Sequence, residues 1–218
     1  MVDDSPRPPL RPLQDVWLKP RRVFRELALT PIGLWDYLLA AVQGIVSVLV
    51  LSRGQSLGAK MSAAQVLGEA ALVGPFAGVL GVFVLAAIYT RLGRRMGGQA
   101  TRPQLFHVFA FSGVPMLASL ILWLVVAELT GAASFMETPR ADLALFLRIL
   151  LRVQFLLHGL LVLWSSLLQV MGLSEMQGTT VRRAFGMWLL GQLITWVAAV
   201  LLLLGLGALG IMSGIEPG

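Results

Sequence analysis

The sequence predicts an all-α, polytopic membrane bundle of five transmembrane helices, and three observations lead there. Of the 218 residues, 57% are hydrophobic and 13% charged, against roughly 45–50% apolar, glycine included, and about 25% charged in a soluble domain. The apolar residues gather in five stretches, each approaching the roughly 20 residues that carry a helix across about 30 Å of hydrocarbon. Within each stretch they cover nearly every helical face, as in helices that meet lipid or one another all round. Membrane strands would instead alternate polar and apolar residues.

This composition excludes a water-soluble enzyme with a modest core, and also a disordered basic tail, since disorder needs low hydrophobicity. The chain has no cysteine and two histidines, which removes disulfides, thiolate metal sites and a cysteine nucleophile. No cofactor or metal site is predicted. The net charge of +6 is no nucleic-acid footprint, because the arginines sit between apolar runs rather than along a soluble basic stripe.

Residues 1–33 read as a cytoplasmic segment. Asp3, Asp4 and Asp15 occupy the region that a secretory signal would keep positive, so no cleavage is expected. A proline-rich start (Pro6, Pro8, Pro9, Pro12) precedes a basic amphipathic piece from Lys19 to Leu29. There Val23, Phe24 and Leu27 share one helical face and Arg21, Arg22 and Arg25 point elsewhere, as in a helix lying at the headgroups.

The transmembrane domain covers 34–212, with spans from about Leu34 to Leu51, Val66 to Leu92, Phe106 to Val126, Leu143 to Leu173 and Phe185 to Met212. A short external tail, 213–218, follows. Twelve basic residues fall on one side: Arg7, Arg11, Lys19, Arg21, Arg22, Arg25, Arg91, Arg94, Arg95, Arg102, Arg182 and Arg183. Arg53, Lys60, Arg140, Arg148 and Arg152 fall on the other. That bias puts the N-terminus in the cytoplasm and the C-terminus outside. The fourth span, at about 1.5 Å per residue, is too long for a simple crossing. The surplus must project or bend, and its first part, Leu143 to Arg152, is expected to lie along or above the outer interface with Arg148 and Arg152 snorkelling to headgroups.

Ionisable groups inside spans are functional suspects, because burying a charge in hydrocarbon is expensive. Asp36 and Glu69 lie near span ends, Asp36 reading as interfacial, whereas His158 is deeper and flanked by Gln154. Glu69, Gln154 and His158 are the candidate intramembrane polar site, with an interhelical hydrogen bond the expected use of His158. An intramembrane enzyme would need Asp36, Glu69 and His158 to converge, which their depths disfavour. Pro75, after Gly74, and Pro115, in Gly113-Val114-Pro115, could each interrupt a helix and face each other. Gly74/Gly78 and Gly210/Gly214 have the small-xxx-small spacing of close helix approach. Gly93-x-x-x-Gly97-Gly98 could offer backbone amides to phosphate, but lacks the Gly-Lys-Ser/Thr ending of a nucleotide loop. Anionic lipid is the better partner for Arg91, Arg94, Arg95 and Arg102.

Two connections carry a family resemblance. Arg91-Leu-Gly-Arg-Arg-Met-Gly-Gly-Gln-Ala-Thr-Arg-Pro-Gln-Leu-Phe-His-Val-Phe-Ala-Phe-Ser-Gly-Val-Pro115 resembles the Yip-family segment in which a glycine-rich turn leads to an aromatic-Ser-x-x-Pro. Leu163 to Gly186, with Gly-x-x-Glu and an Arg-Ala start to the fifth span, is similar to that family's fourth-span exit, and Lys19-Pro-Arg-Arg-Val-Phe24 to the entry of bacterial members. The resemblance implies a five-span bundle with a cytoplasmic N-terminal segment. Eukaryotic relatives are associated with Rab-type GTPases and vesicle trafficking. The chain lacks their long polar N-terminal region and Asp-Leu-x-Gly-Pro motif, which makes a GTPase partner doubtful and suggests a bacterial inner-membrane member.

The function expected is a non-enzymatic scaffold or membrane-organising factor, forming homo- or hetero-oligomers and meeting lipid or an acidic partner through Arg21, Arg22, Arg25, Arg91, Arg94, Arg95, Arg102, Arg182 and Arg183. The alternative is a small-molecule or lipid transporter using the interrupted second and third spans and a hydrated cavity at His158.

Overall fold

The computed structural model describes residues 11–138 and 143–208, and every regular element among them is helical. Two short helices, α1 (Pro12–Asp15) and α2 (Pro20–Leu27), precede α3 (Leu34–Gly54), α4 (Ala63–Arg95), α5 (Arg102–Phe111), α6 (Val114–Thr130), α7 (Leu145–Gln177) and α8 (Val181–Ala208). Single 3-10 turns at Leu57–Ala59 and Gly131–Phe135 follow α3 and α6. Five helical units are long and apolar enough to cross a membrane: α3, α4, α5 with α6, α7 and α8. Calls on Pro6, Arg7, Pro8, Pro9, Arg140, Gly210/Gly214 and the tail lie outside the described residues.

Local chemistry sets the boundaries. Ser62 and Gln65 form a reciprocal cap at the start of α4, Ser62 Oγ accepting the Gln65 amide and Gln65 Oε1 the Ser62 amide. Prolines open α2, α5 and α6, where the missing amide is no loss. Along α4 and α7, leucines and phenylalanines such as Leu72, Phe76, Leu156 and Leu160 are exposed, as faces turned to lipid require.

The α5/α6 unit is the centre of the bundle: 61% of its apolar window is buried, against 17–33% in the other four. All residues from Leu105 to Phe111 are buried, with α2, α3, α4 and α7 packed around α5. The tightest pair is α3 with α4. A Cβ on Gly44 would run into the Gly74 carbonyl, and one on Gly78 into the Ala40 carbonyl. The expected Gly74/Gly78 spacing therefore works as a backbone contact within the chain.

The breakers behave differently from one another. Pro75 stays inside a continuous α4, while Ser112 and Gly113 separate α5 from α6 and put Pro115 in the first turn of α6. The glycines beside them both meet α3: Gly74 approaches Ile45 and Gly113 approaches Gln43. The fourth span is unbroken. Leu145 to Arg152 is the first part of one continuous 33-residue helix, about 50 Å long, and no bend sets it apart from the rest of α7. At its far end α2 covers it.

Candidate interaction surface at the basic end

The surface is assembled where α2, the start of α3, the α4–α5 connection, the end of α7 and the start of α8 meet. Val23 and Phe24 of α2 are fully buried, and Phe24 lies against α7 beside Gly172. Arg21 and Arg25 reach Glu175 of α7 at 3.8 and 3.4 Å, and Arg22 pairs within α2 with Glu26 at 3.1 Å. Two of the three arginines of α2 therefore help to dock their own helix, each remaining more than half exposed.

Beneath them lies a buried polar pair. Asp36, expected at the interface, is instead 3% exposed, and its Oδ1 lies 2.6 Å from Nδ1 of His107. Its other oxygen caps α3 by accepting the Gly33 amide at 2.9 Å. The far ring nitrogen of His107 donates to the Thr30 carbonyl at 3.1 Å. That carbonyl fixes one proton on Nε2, so a second proton lies between Nδ1 and Oδ1. One carboxylate thus starts α3, holds α5 and, through the ring, fixes the α2–α3 connection. Burial overrides depth because α5 is inside the bundle, and Asp36 faces it.

Gln177 plays the matching part on α7. Its Oε1 accepts the Ala100 amide at 3.1 Å and its Nε2 donates to the Tyr89 carbonyl at 3.3 Å. The side chain sits against Gly93 and Gly98, so the glycine run considered as a phosphate cradle is the seat of an amide from the same chain. The Tyr89 hydroxyl donates to the Trp188 carbonyl at 2.9 Å, tying α4 to α8.

Deeper in the bundle, the α5–α6 break frees carbonyls that Gln43 recovers. Its Nε2 donates to Phe109 and Ala110 oxygens at 3.1 and 3.2 Å. A Cβ at Gly113 would collide with that amide, which explains a glycine at the break.

Arg91, Arg94, Arg95, Arg102, Arg182 and Arg183 are all exposed at this end. No salt bridge holds any of them among the described residues.

The intramembrane polar residues do not converge on one site. His158 makes the expected interhelical bond, Nδ1 lying 2.8 Å from Ser119 Oγ of α6. Gln154, one turn away, is 1% exposed, with neither amide atom partnered among the described residues. Glu69 is exposed and apart from both, and Asp36 is committed to His107. Arg53, at the end of α3, lies 5.1 Å from the centre of the Phe155 ring. Sequence reasoning missed His107, Gln43, Gln177, Tyr89 and Ser119. The available signal for His107 was one of two histidines in an otherwise apolar, aromatic helix.

No curated protein and no solved structure matches the chain. The family model described as the Yip1 domain matches residues 15–212. That match takes in α2 with its docking arginines, the α4–α5 connection and all five spans, and the chain belongs to the Yip family of integral membrane proteins.

Proposed function

We propose that the chain is a non-enzymatic scaffold of the bacterial inner membrane, presenting a fixed basic surface at its cytoplasmic end to anionic lipid and to an acidic partner. The observation behind this reading is a division of labour among polar groups. Asp36, His107, Gln43, Gln177 and Tyr89 hold helices to each other, while six arginines at the same end face outward without an ion pair among the described residues. The positive-inside bias supports the cytoplasmic assignment. Leu18, Leu29 and Trp35, all more than half exposed near that end, suit the headgroup boundary. Lipid-facing helix surfaces would meet other membrane helices, copies of the chain included.

Crosslinking in native membranes followed by affinity capture tests this. The wild-type chain should bring down an acidic partner or enrich anionic lipid, and Arg91, Arg94, Arg95, Arg182 and Arg183 all changed to Gln should reduce the yield more than tenfold. A lone monomer enriched in neither would overturn the scaffold reading.

A second reading, passage of a small molecule or lipid, draws on Gln154, whose buried amide has no partner among the described residues. The chain's lack of cysteine makes the test direct. In a hydrated path a Ser119→Cys variant reacts with a water-soluble maleimide; complete protection in the folded protein would sink this reading.

A further inference from the structure

We propose that the groove between α4 and α8 binds one anionic phospholipid, its phosphate held by Arg91 and Arg95. The inference rests on the basic end lying at a membrane surface, and it names the ligand that end takes. The groove has a volume of about 210 Å³ and is lined by Ile88, Arg91, Leu92, Arg95 and Ile194.

Its polarity follows the sequence. Arg91 and Arg95 are four residues apart, so they stand one above the other on a single face of α4 near its end. Ile88 lies one turn further into the span on the same side. On α8 the deeper wall is Ile194, thirteen residues past the start of the helix at Val181. Two cations therefore stand at the outer end and aliphatic side chains at the inner end, the order of groups in a phospholipid entered headgroup-outward. Neither arginine has an ion pair among the described residues. Their planar forks match phosphate oxygens two at a time.

The groove persists because α8 is held to α4 beside it. The Tyr89 hydroxyl donates to the Trp188 carbonyl at 2.9 Å, and the Tyr89 ring lies against Gly191, three residues before Ile194. Free phosphate would satisfy the arginines but leave the accessible parts of Ile88 and Ile194 without an apolar partner from the same ligand; an acyl chain supplies one. Charge and apolar lining together select the lipid.

The experiment is native mass spectrometry of the full chain, purified without partners, exchanged from micelles containing either phosphatidylglycerol or phosphatidylcholine. Wild type should retain one phosphatidylglycerol at least tenfold more than phosphatidylcholine, with inorganic phosphate failing to compete. Arg91→Gln with Arg95→Gln should abolish that preference, whereas Arg182→Gln with Arg183→Gln, an equal loss of charge, should keep it. Ile194→Trp, which fills the inner end and leaves both arginines, should also lose retention. Equal retention of the two lipids by wild type, equal loss in both arginine pairs, undiminished retention in Ile194→Trp, or displacement by inorganic phosphate would each overturn the site. Circular dichroism and gel filtration confirm that each variant is folded. Loss of partner capture with lipid retention intact would fall on the scaffold reading alone.

Discussion

The two ends of the bundle differ in how completely their buried carboxylate and amide groups are paired. At the basic end, Asp36, His107 and Gln177 each have both of their polar atoms engaged, across α3, α5, α7 and the α4–α5 connection. Toward the other end, Arg53 Nη1, Arg148 Nε, Trp123 Nε1 and both amide atoms of Gln154 are buried without a partner among the described residues. In the half of the bundle nearer the basic end, Thr179 Oγ1, Trp164 Nε1 and Ser165 Oγ are also unpartnered among the described residues, so the contrast rests on the carboxylate and amide groups. A fully paired network fixes one arrangement of helices, while a half-paired one adds cost without specifying geometry. The end carrying the outward arginines is therefore the end built to hold its shape. A surface that recognises a lipid or partner by the placement of its charges needs that property.

The comparison breaks first at His107. Removing one member of a buried ionic pair strands the other, at about 3 kcal/mol. His107→Ala should lower the free energy of unfolding by that amount in an SDS titration from mixed micelles. The His107→Ala, Asp36→Ala double variant should lose clearly less than the sum of the two singles. Additive losses would show that the 2.6 Å pair does not act as a unit.

Gln177→Leu comes next. It leaves the buried Ala100 amide without its acceptor and the Tyr89 carbonyl without its extra donor, an effect of about 2 kcal/mol. Hydrogen exchange at Ala100 should accelerate with it, and unchanged protection there would mean the α4–α5 connection is fixed by something other than Gln177. Gln43→Leu should cost less, about 1 kcal/mol. Phe109 and Ala110 keep partial partners in Ser112 Oγ and the Gly113 amide. A loss as large as that of Gln177→Leu would mean the helix break depends on Gln43 alone.

The bundle was readable in advance because hydropathy and length act along the chain, and five apolar runs need no knowledge of neighbours. The Gly113-Val114-Pro115 break was readable only in part: the same local signal at Gly74-Pro75 left α4 continuous. Side-chain pairing was not readable. Asp36 lies two residues inside its helix, which reports depth but not the direction it faces, and its partner is 71 residues away. Gln43 and Gln177 carry no charge, so nothing in their immediate sequence separates an amide that clamps two helices from one that faces lipid. The arginines show the converse: their clustering set the basic end correctly, but the diversion of Arg21 and Arg25 to Glu175 required the docking of α2 on α7.

The smallest effect is the sharpest test, because it repeats a substitution already made at the other end. Gln154→Leu removes an amide whose two polar atoms have no partner among the described residues. The wild-type side chain carries a desolvation penalty that no hydrogen bond offsets, and leucine of similar size removes it. The expected change is zero to about 1 kcal/mol of added stability, opposite in sign to Gln43→Leu and Gln177→Leu in the same titration. A loss comparable to theirs would mean that Gln154 is satisfied by something bound in the membrane interior. The asymmetry between the ends would then disappear, and the maleimide experiment at Ser119, which bonds to His158 one turn from Gln154, would become the decisive one for passage through the bundle.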